Sequence, residues 1–441
     1  METAARLLIG DSLGFHLLFV MIGVGLPFVI VLFEAIALRR QDKYLLEQVK
    51  RWSIAAVIFA ITGVMSGTLI AVQFSLVWPH FMAFASQVVG PAFMFEGYFF
   101  LIEAVFLALY TATWHKIRGW KHWMLGVGVL VGALGSAVVI TLVNAWMNNP
   151  VGFEMYNGVI ENVSISTALF TYAGLVTVLH SVLSYITVVS YGLMAVYGVA
   201  SRRPTISMSR RKSLRSITLG LAILGVGAMI TTMVFGHATA QRLYKDSPLK
   251  LAAYELQINT ESEAPLRLGG YYDETTNEVR DAIVLPGLLS FLSDNRTDTV
   301  VTGLSQTPLQ LWPPLVVHTL FDIKIVLAVI SLLIPVSYVI SSRRMSSERL
   351  NAASRTSSII LTLAAIATFV VVELGWIMAE LARQPYAIKG YLLTSEAVTR
   401  DHSVFEIGIV FPIIFTILLV MTCYAVIVTQ RRIGGGKKGY E

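Results

Sequence analysis

Residues 52–95 read WSIAAVIFAITGVMSGTLIAVQFSLVWPHFMAFASQVVGPAFMF, a stretch without a single Asp, Glu, Lys or Arg. A bilayer core is about 30 Å thick and takes roughly 20 apolar residues per helix. The stretch therefore holds one full span and the opening of another. A second charge-free stretch runs from His122 to Phe153. Of the 441 residues, 55% are hydrophobic and only 14% charged, where a soluble domain carries roughly a quarter charged residues. The fold class that follows is all-α and polytopic, a chain of membrane-crossing helices.

Working outward from these stretches gives nine candidate spans, near 12–38, 52–79, 90–114, 122–147, 166–200, 216–236, 312–340, 357–382 and 403–430. The start lacks the basic region and small-residue cleavage site of a signal peptide, so the first apolar run is expected to be a retained helix. Alternate connections are strongly basic. They hold Arg39, Arg40, Lys43, Lys50 and Arg51; Lys116, Arg118 and Lys121; Arg202, Arg203, Arg210, Arg211, Lys212 and Arg215; Arg343, Arg344, Arg349 and Arg355; and Arg431, Arg432, Lys437 and Lys438. The positive-inside rule puts these segments in the cytoplasm. The N-terminus is then outside and the C-terminus inside the cell membrane. The net charge of +6 follows from this sorting and implies no nucleic-acid partner. Three regions are expected: helices 1–6 over residues 1–236, a long polar outward loop over 237–311, and helices 7–9 with a basic tail over 312–441. Loops of that length are usually functional or disordered.

Cys423 is the only cysteine, which excludes intrachain disulfides, Cys-ligated iron–sulfur clusters and a Cys-x-x-Cys-His haem attachment. A cofactor must be held by His, Met, Lys or carboxylates. Ionisable groups inside apolar spans are costly and usually functional. Here they are His16, Glu96, Glu103, His180, His318, Asp322, Lys324, Glu373 and Glu380. Glu96 and Glu103 are two helical turns apart, as are Glu373 and Glu380, so each pair shares a helix face. The topology gives most of these groups a common depth, which suggests one polar interior site near the outer face. Haem is most often held by axial His from a helix bundle. A lone His is as readily a hydrogen-bonded helix contact, and a lone Glu a proton relay. On composition alone, an oxidase, a proton-coupled transporter and a channel all remain open.

Local strings separate these readings. Gly14-Phe15-His16-Leu17-Leu18-Phe19-Val20 resembles the first-helix segment of cytochrome bd oxidase subunit I, whose His ligates a high-spin haem. Gly90-Pro91-Ala92-Phe93-Met94-Phe95-Glu96-Gly97, with Glu103 beyond, is similar to that family's third helix and its two buried glutamates. Asn144-Ala145-Trp146-Met147-Asn148-Asn149-Pro150-Val151-Gly152 resembles its signature after the fourth helix, with Ala145 in place of Gly. His180 falls where the family carries a ligand of the low-spin haem. Lys250-Leu251-Ala252-Ala253-Tyr254-Glu255 resembles the start of the quinol-binding loop. Arg383-Gln384-Pro385-Tyr386 is similar to a Gly-Arg-Gln-Pro-Trp motif, departing from it at Ala382 and Tyr386. Glu380 then matches the Glu ligand of the other high-spin haem, ahead of Glu373, and Trp376 also looks like a family residue.

The resemblance implies two haems b with a haem d or a third haem b, and a membrane quinol as donor. It also implies O2 as acceptor and a second, subunit II-like membrane partner. Quinol would be oxidised at the outer loop and O2 reduced to water with cytoplasmic protons, giving a proton gradient without pumping. Glu96 and Glu103 would relay protons, Lys250 and Glu255 would meet the quinol, and Arg383 would offset haem propionate charge. One departure stands out. The family's low-spin haem is closed by Met in a Phe-Arg-x-Met string, whereas this chain has Phe321-Asp322-Ile323-Lys324 and no Met over 312–340. Lys324, His318 or no sixth ligand at all are the three options. The alternatives to the whole reading are a bd-like oxidoreductase without haem d or with another donor, and a proton-coupled transporter. A haem–copper oxidase is disfavoured, because no two His are adjacent or two apart.

Overall fold

The computed structural model describes residues 2–201, 206–344, 354–408 and 410–435. Arg202, Arg203, Arg349, Lys437 and Lys438, which carry part of the expected sidedness, lie outside the described residues. The elements in chain order are α1 (Glu2–Arg40), α2 (Lys43–Val77), α3 (Pro79–Ala112), α4 (Trp120–Asn148), α5 (Ile165–Leu169), α6 (Tyr172–Ala200), α7 (Met208–Asp246), α8 (Pro248–Tyr254), α9 (Leu288–Asp294) and α10 (Val316–Arg344). Then follow α11 (Ser354–Leu381), α12 (Thr394–Ala397), α13 (His402–Gly408) and α14 (Val410–Gly435). Among the described residues nine helices are long and apolar enough to cross a membrane: α1, α2, α3, α4, α6, α7, α10, α11 and α14. That is the expected number.

Their ends differ from the hydropathy reading where polarity and helicity part company. Residues 80–89, expected as a connection, are helical. Pro79 opens α3 at its first turn, where a missing N–H costs nothing, so only Trp78 separates α2 from α3. The fifth span starts at Tyr172, not at 166. Thr171 caps it by accepting from the Gly174 N–H at 3.0 Å, after the separate turn of α5. The sixth span continues past 236 to Asp246, so the first part of the expected loop is helix. Its polar end is held by an Arg242–Asp246 ion pair one turn apart. At 1.5 Å per residue, the 39 residues of α7 reach about 58 Å, well beyond the hydrocarbon core. This projecting end carries α8.

The helices pack as antiparallel neighbours α1/α2, α3/α4, α6/α7 and α10/α11, with α1 also against α4, α6 and α14, and α11 against α6. Small residues permit the closest approaches. A Cβ on Gly132 of α4 would lie 2.5 Å from the Glu103 backbone N of α3, so Gly132 fixes how near α4 comes to that glutamate. Outward faces carry large apolar residues such as Ile61, Leu101 and Val131, as lipid contact requires. Glu34 of α1 is buried. It accepts from Tyr110 Oη at 2.7 Å and lies 2.7 Å from His122 Nδ1.

Among the described residues four small antiparallel strand pairs complete the fold: β1 (Glu154–Tyr156) with β2 (Val159–Glu161), β3 (Leu266–Leu268) with β6 (Ile283–Leu285), β4 (Tyr271–Asp273) with β5 (Glu278–Arg280), and β7 (Tyr386–Ile388) with β8 (Leu392–Leu393). The β3/β6 and β4/β5 pairs belong to the long loop. Tyr254 at the end of α8 stacks on Phe321 of α10, with ring centroids 5.6 Å apart. That contact seats the loop on the helix bundle.

Candidate functional site

A connected cavity of about 2710 Å³ runs between the helices. Small-molecule sites are roughly 300–1,000 Å³, so this one has room for several large groups. Its walls are mostly apolar, yet His16, Glu96, Glu103, His180, Lys250, Glu255, Lys324, Trp376, Glu380 and Arg383 all line it. Residues expected from separate strings are thus brought to one space. His318 and Glu373 are not among the lining residues.

The two cavity imidazoles share a geometry. His16 Nδ1 is 2.8 Å from Ser66 Oγ of α2, and Gly67 leaves space beside the ring, where a Cβ would come 3.3 Å from Cε1. His180 Nδ1 donates to the Thr232 carbonyl of α7 at 3.0 Å, and Gly236 makes the same room, 3.2 Å from Cε1. In both, Nδ1 is committed and Nε2 has no protein partner among the described residues. A metal-ligating His is usually oriented in this way, its second nitrogen bonded to a carbonyl or similar group. No cluster of three or more His, Cys, Asp or Glu able to hold a bare ion occurs among the described residues. Single imidazoles on a large apolar cavity are what a macrocycle needs, since it brings its own equatorial nitrogens. The donor set fits haem.

Glu380 lines the cavity from the last turn of α11. Asn144 Nδ2 donates to its Oε1 at 2.6 Å, and Arg383 Nη2 donates to Oε2. Each carboxylate oxygen has a further lone pair, so Glu380 could still serve as a ligand. Asn148, one turn after Asn144, accepts from Lys250 Nζ at 2.8 Å, and the same amine donates to the Ala379 carbonyl at 3.0 Å. The sequence singled out the 144–152 string without giving it a role. Here Asn144 and Asn148 hold Glu380 and Lys250 side by side. Lys389 fastens the rim, donating to the Asp246 carbonyl and Ser247 Oγ, both at 2.7 Å.

The α8 groups are poised for proton exchange. Burial lowers the Lys250 ammonium to about 7, and Arg383 adds repulsion. Burial raises the Glu255 carboxyl to about 8, with the Asp322 charge acting in the same direction. Burial also raises the Tyr254 hydroxyl, which donates to the Met378 carbonyl at 3.2 Å. Glu96 and Glu103 lie on one face of α3, and neither carboxylate has a protein partner among the described residues.

His318 has another task. Nδ1 is 2.7 Å from the Tyr254 carbonyl and Nε2 is 2.9 Å from the Gly269 carbonyl. Both ring nitrogens thus face backbone carbonyls, and Asp322 lies 3.5 Å from Nε2. Asp322 also accepts from the Gly269 N–H at 2.5 Å. One turn of α10 therefore clamps both α8 and the β3–β4 corner. This leaves His318 no nitrogen for a metal.

The chain matches the family model described as cytochrome bd terminal oxidase subunit I over residues 4–436. It is 33% identical to a Bacillus subtilis protein named "Putative cytochrome bd menaquinol oxidase subunit I" over 97% of this chain and 96% of that one. It is 24% identical to the cytochrome bd ubiquinol oxidase subunit 1 of the same organism over 94% and 91%. The solved bd oxidase of Geobacillus thermodenitrificans superposes with a TM-score of 0.90, at 30% identity and 98% coverage of both chains.

Proposed function

Because the chain belongs to the cytochrome bd terminal oxidase subunit I family, and so is part of a quinol oxidase, we propose that it is the haem-bearing catalytic subunit. On this reading it oxidises a membrane quinol at the outer face and reduces O2 to water. The observation that carries the reading is the shared cavity. Lys250 and Glu255 from the loop line it together with His16, His180 and Glu380. The haem complement we infer is two haems b with a haem d or a third haem b. Bound haem supplies one-electron transfer and O2 chemistry that no side chain here can supply.

The chain's own groups do the rest. A quinol gives up two electrons and two protons on oxidation. Neutral Lys250 and ionised Glu255 are the acceptors for those protons, at a site held against α4 and α11 by Asn148 and the Ala379 carbonyl. His180 would hold the low-spin haem, His16 and Glu380 the high-spin pair, and Arg383 would hold Glu380 and offset propionate charge. Glu103 and then Glu96, one α3 face apart by two turns, are spaced to pass protons from the basic, cytoplasmic side toward the cavity. With the basic loops inside, protons leave on one side of the cell membrane and enter from the other, so turnover builds a gradient without a pump. The region over 237–311 is then the extracytoplasmic quinol loop, resting on the outer end of α7. Membership of this family also supports a second, subunit II-like membrane subunit as partner.

The purified complex, given a reduced quinol, is expected to take up one O2 for every two quinols oxidised and to release no peroxide. Quinol-independent O2 uptake, or none with an intact haem complement, would contradict the reading.

A further inference from the structure

An amine inside a membrane span is costly unless it is paired. Lys324 lies in α10, lines the cavity, and makes no hydrogen bond or ion pair among the described residues. Its chain lies across α11 at Gly375, where a Cβ would sit 3.4 Å from Cε and 3.5 Å from Nζ. The lysine chain thus packs on the α11 surface at ordinary van der Waals distance. His180 lines the same cavity. The two side chains reach that cavity from different helices, His180 from α6 and Lys324 from α10.

We propose that the Lys324 amine is the second axial ligand, with His180, of the low-spin haem in this chain. This rests on the haem reading above. Three observations favour it over the other donors. His318, the other nitrogen ligand on α10, spends both ring nitrogens on the Tyr254 and Gly269 carbonyls. The described part of α10 carries no Met. Met229 and Met233 line the cavity from α7, but α7 is the helix whose Thr232 carbonyl holds His180 from behind. Lysine ligates as the neutral amine: the nitrogen lone pair goes to iron, and the third proton leaves to water when haem is loaded. No electron is transferred in that step. A nitrogen in place of thioether lowers the reduction potential, since Met ligation raises it.

The test is magnetic circular dichroism in the near infrared on the oxidised, purified complex, with redox titration of the low-spin haem. The native protein is expected to show the charge-transfer band of imidazole–amine ligation. Lys324→Met is expected to keep a low-spin haem, move that band to the imidazole–thioether position and raise the potential. Lys324→Ala is expected to convert this haem to a high-spin form that binds CO, with haem content unchanged. Should the alanine variant fail to assemble, the methionine variant carries the test alone. A native band at the thioether position, a loss of low-spin signal in His318→Gln instead, or no change in either Lys324 variant would overturn the proposal. His180→Ala separates the two levels. Loss of the low-spin haem there, with Lys324 variants unchanged, refutes the lysine ligand alone, and an intact low-spin signal in His180→Ala refutes the haem assignment itself.

Discussion

Lys250→Ala is expected to lower kcat/KM for quinol by about 10²–10⁴-fold, the range for removal of a positioned acid or base, with the haem complement retained. Two features of Lys250 make the effect large. It is held to Asn148 and the Ala379 carbonyl, so its amine is fixed on the cavity wall. Burial brings it to about 7, so near neutral pH a large share is already the free base. The sign of the pH dependence follows. Lys250 accepts a proton only above about 7, and Glu255, raised to about 8, only when ionised above that value. Quinol oxidation should therefore rise with pH through this window and level off beyond it. In Lys250→Ala the lower inflection should vanish. Lys250→Arg keeps the charge and the donors but stays protonated, so it should be nearly as slow as alanine. Wild-type rates in Lys250→Arg would show that Lys250 binds and does not take a proton.

Arg383→Ala is expected to cost about 3–5 kcal/mol, the usual loss when one partner of a buried ion pair is removed. The Arg383 side chain is only 7% exposed and Glu380 20%, so solvent screens the pair weakly. With the guanidinium gone, one Glu380 oxygen keeps only the Asn144 contact on its neighbour, and the wall at Met147 loses its other flank. The thermal midpoint in detergent should fall, and haem near Glu380 should be depleted in the same preparation. Arg383→Lys restores charge without the planar fork and should lie between the two. An unchanged midpoint with full haem would mean that the pair is not structural.

The reading of the sequence succeeded where cost is local and failed where partners are distant. Nine spans were legible because a charge inside a bilayer is penalised residue by residue. The α2–α3 junction was not, since nothing polar marks it and only Pro79 signals a new helix. The C-terminal end of α7 was missed for the opposite reason. His237, Arg242, Lys245 and Asp246 are polar, and hydropathy stops where the helix does not. The cavity residues could be listed from their strings, but the Asn144–Glu380 contact joins positions 236 apart, and no local pattern carries it. His318 and Lys324 stood as equal candidates because a sequence does not display backbone carbonyls. Those carbonyls are what commit the imidazole and leave the amine facing the cavity. Membership of the family removes the transporter reading as well.

The most direct measurement on the central claim is a pyridine haemochrome inventory with a reduced-minus-oxidised spectrum of the purified complex. Stoichiometric haem is expected: two haems b, with a haem d band or a third haem b completing the set, all reduced on adding quinol. A folded, monodisperse complex that carries no haem, or whose haem quinol leaves oxidised, would contradict the account.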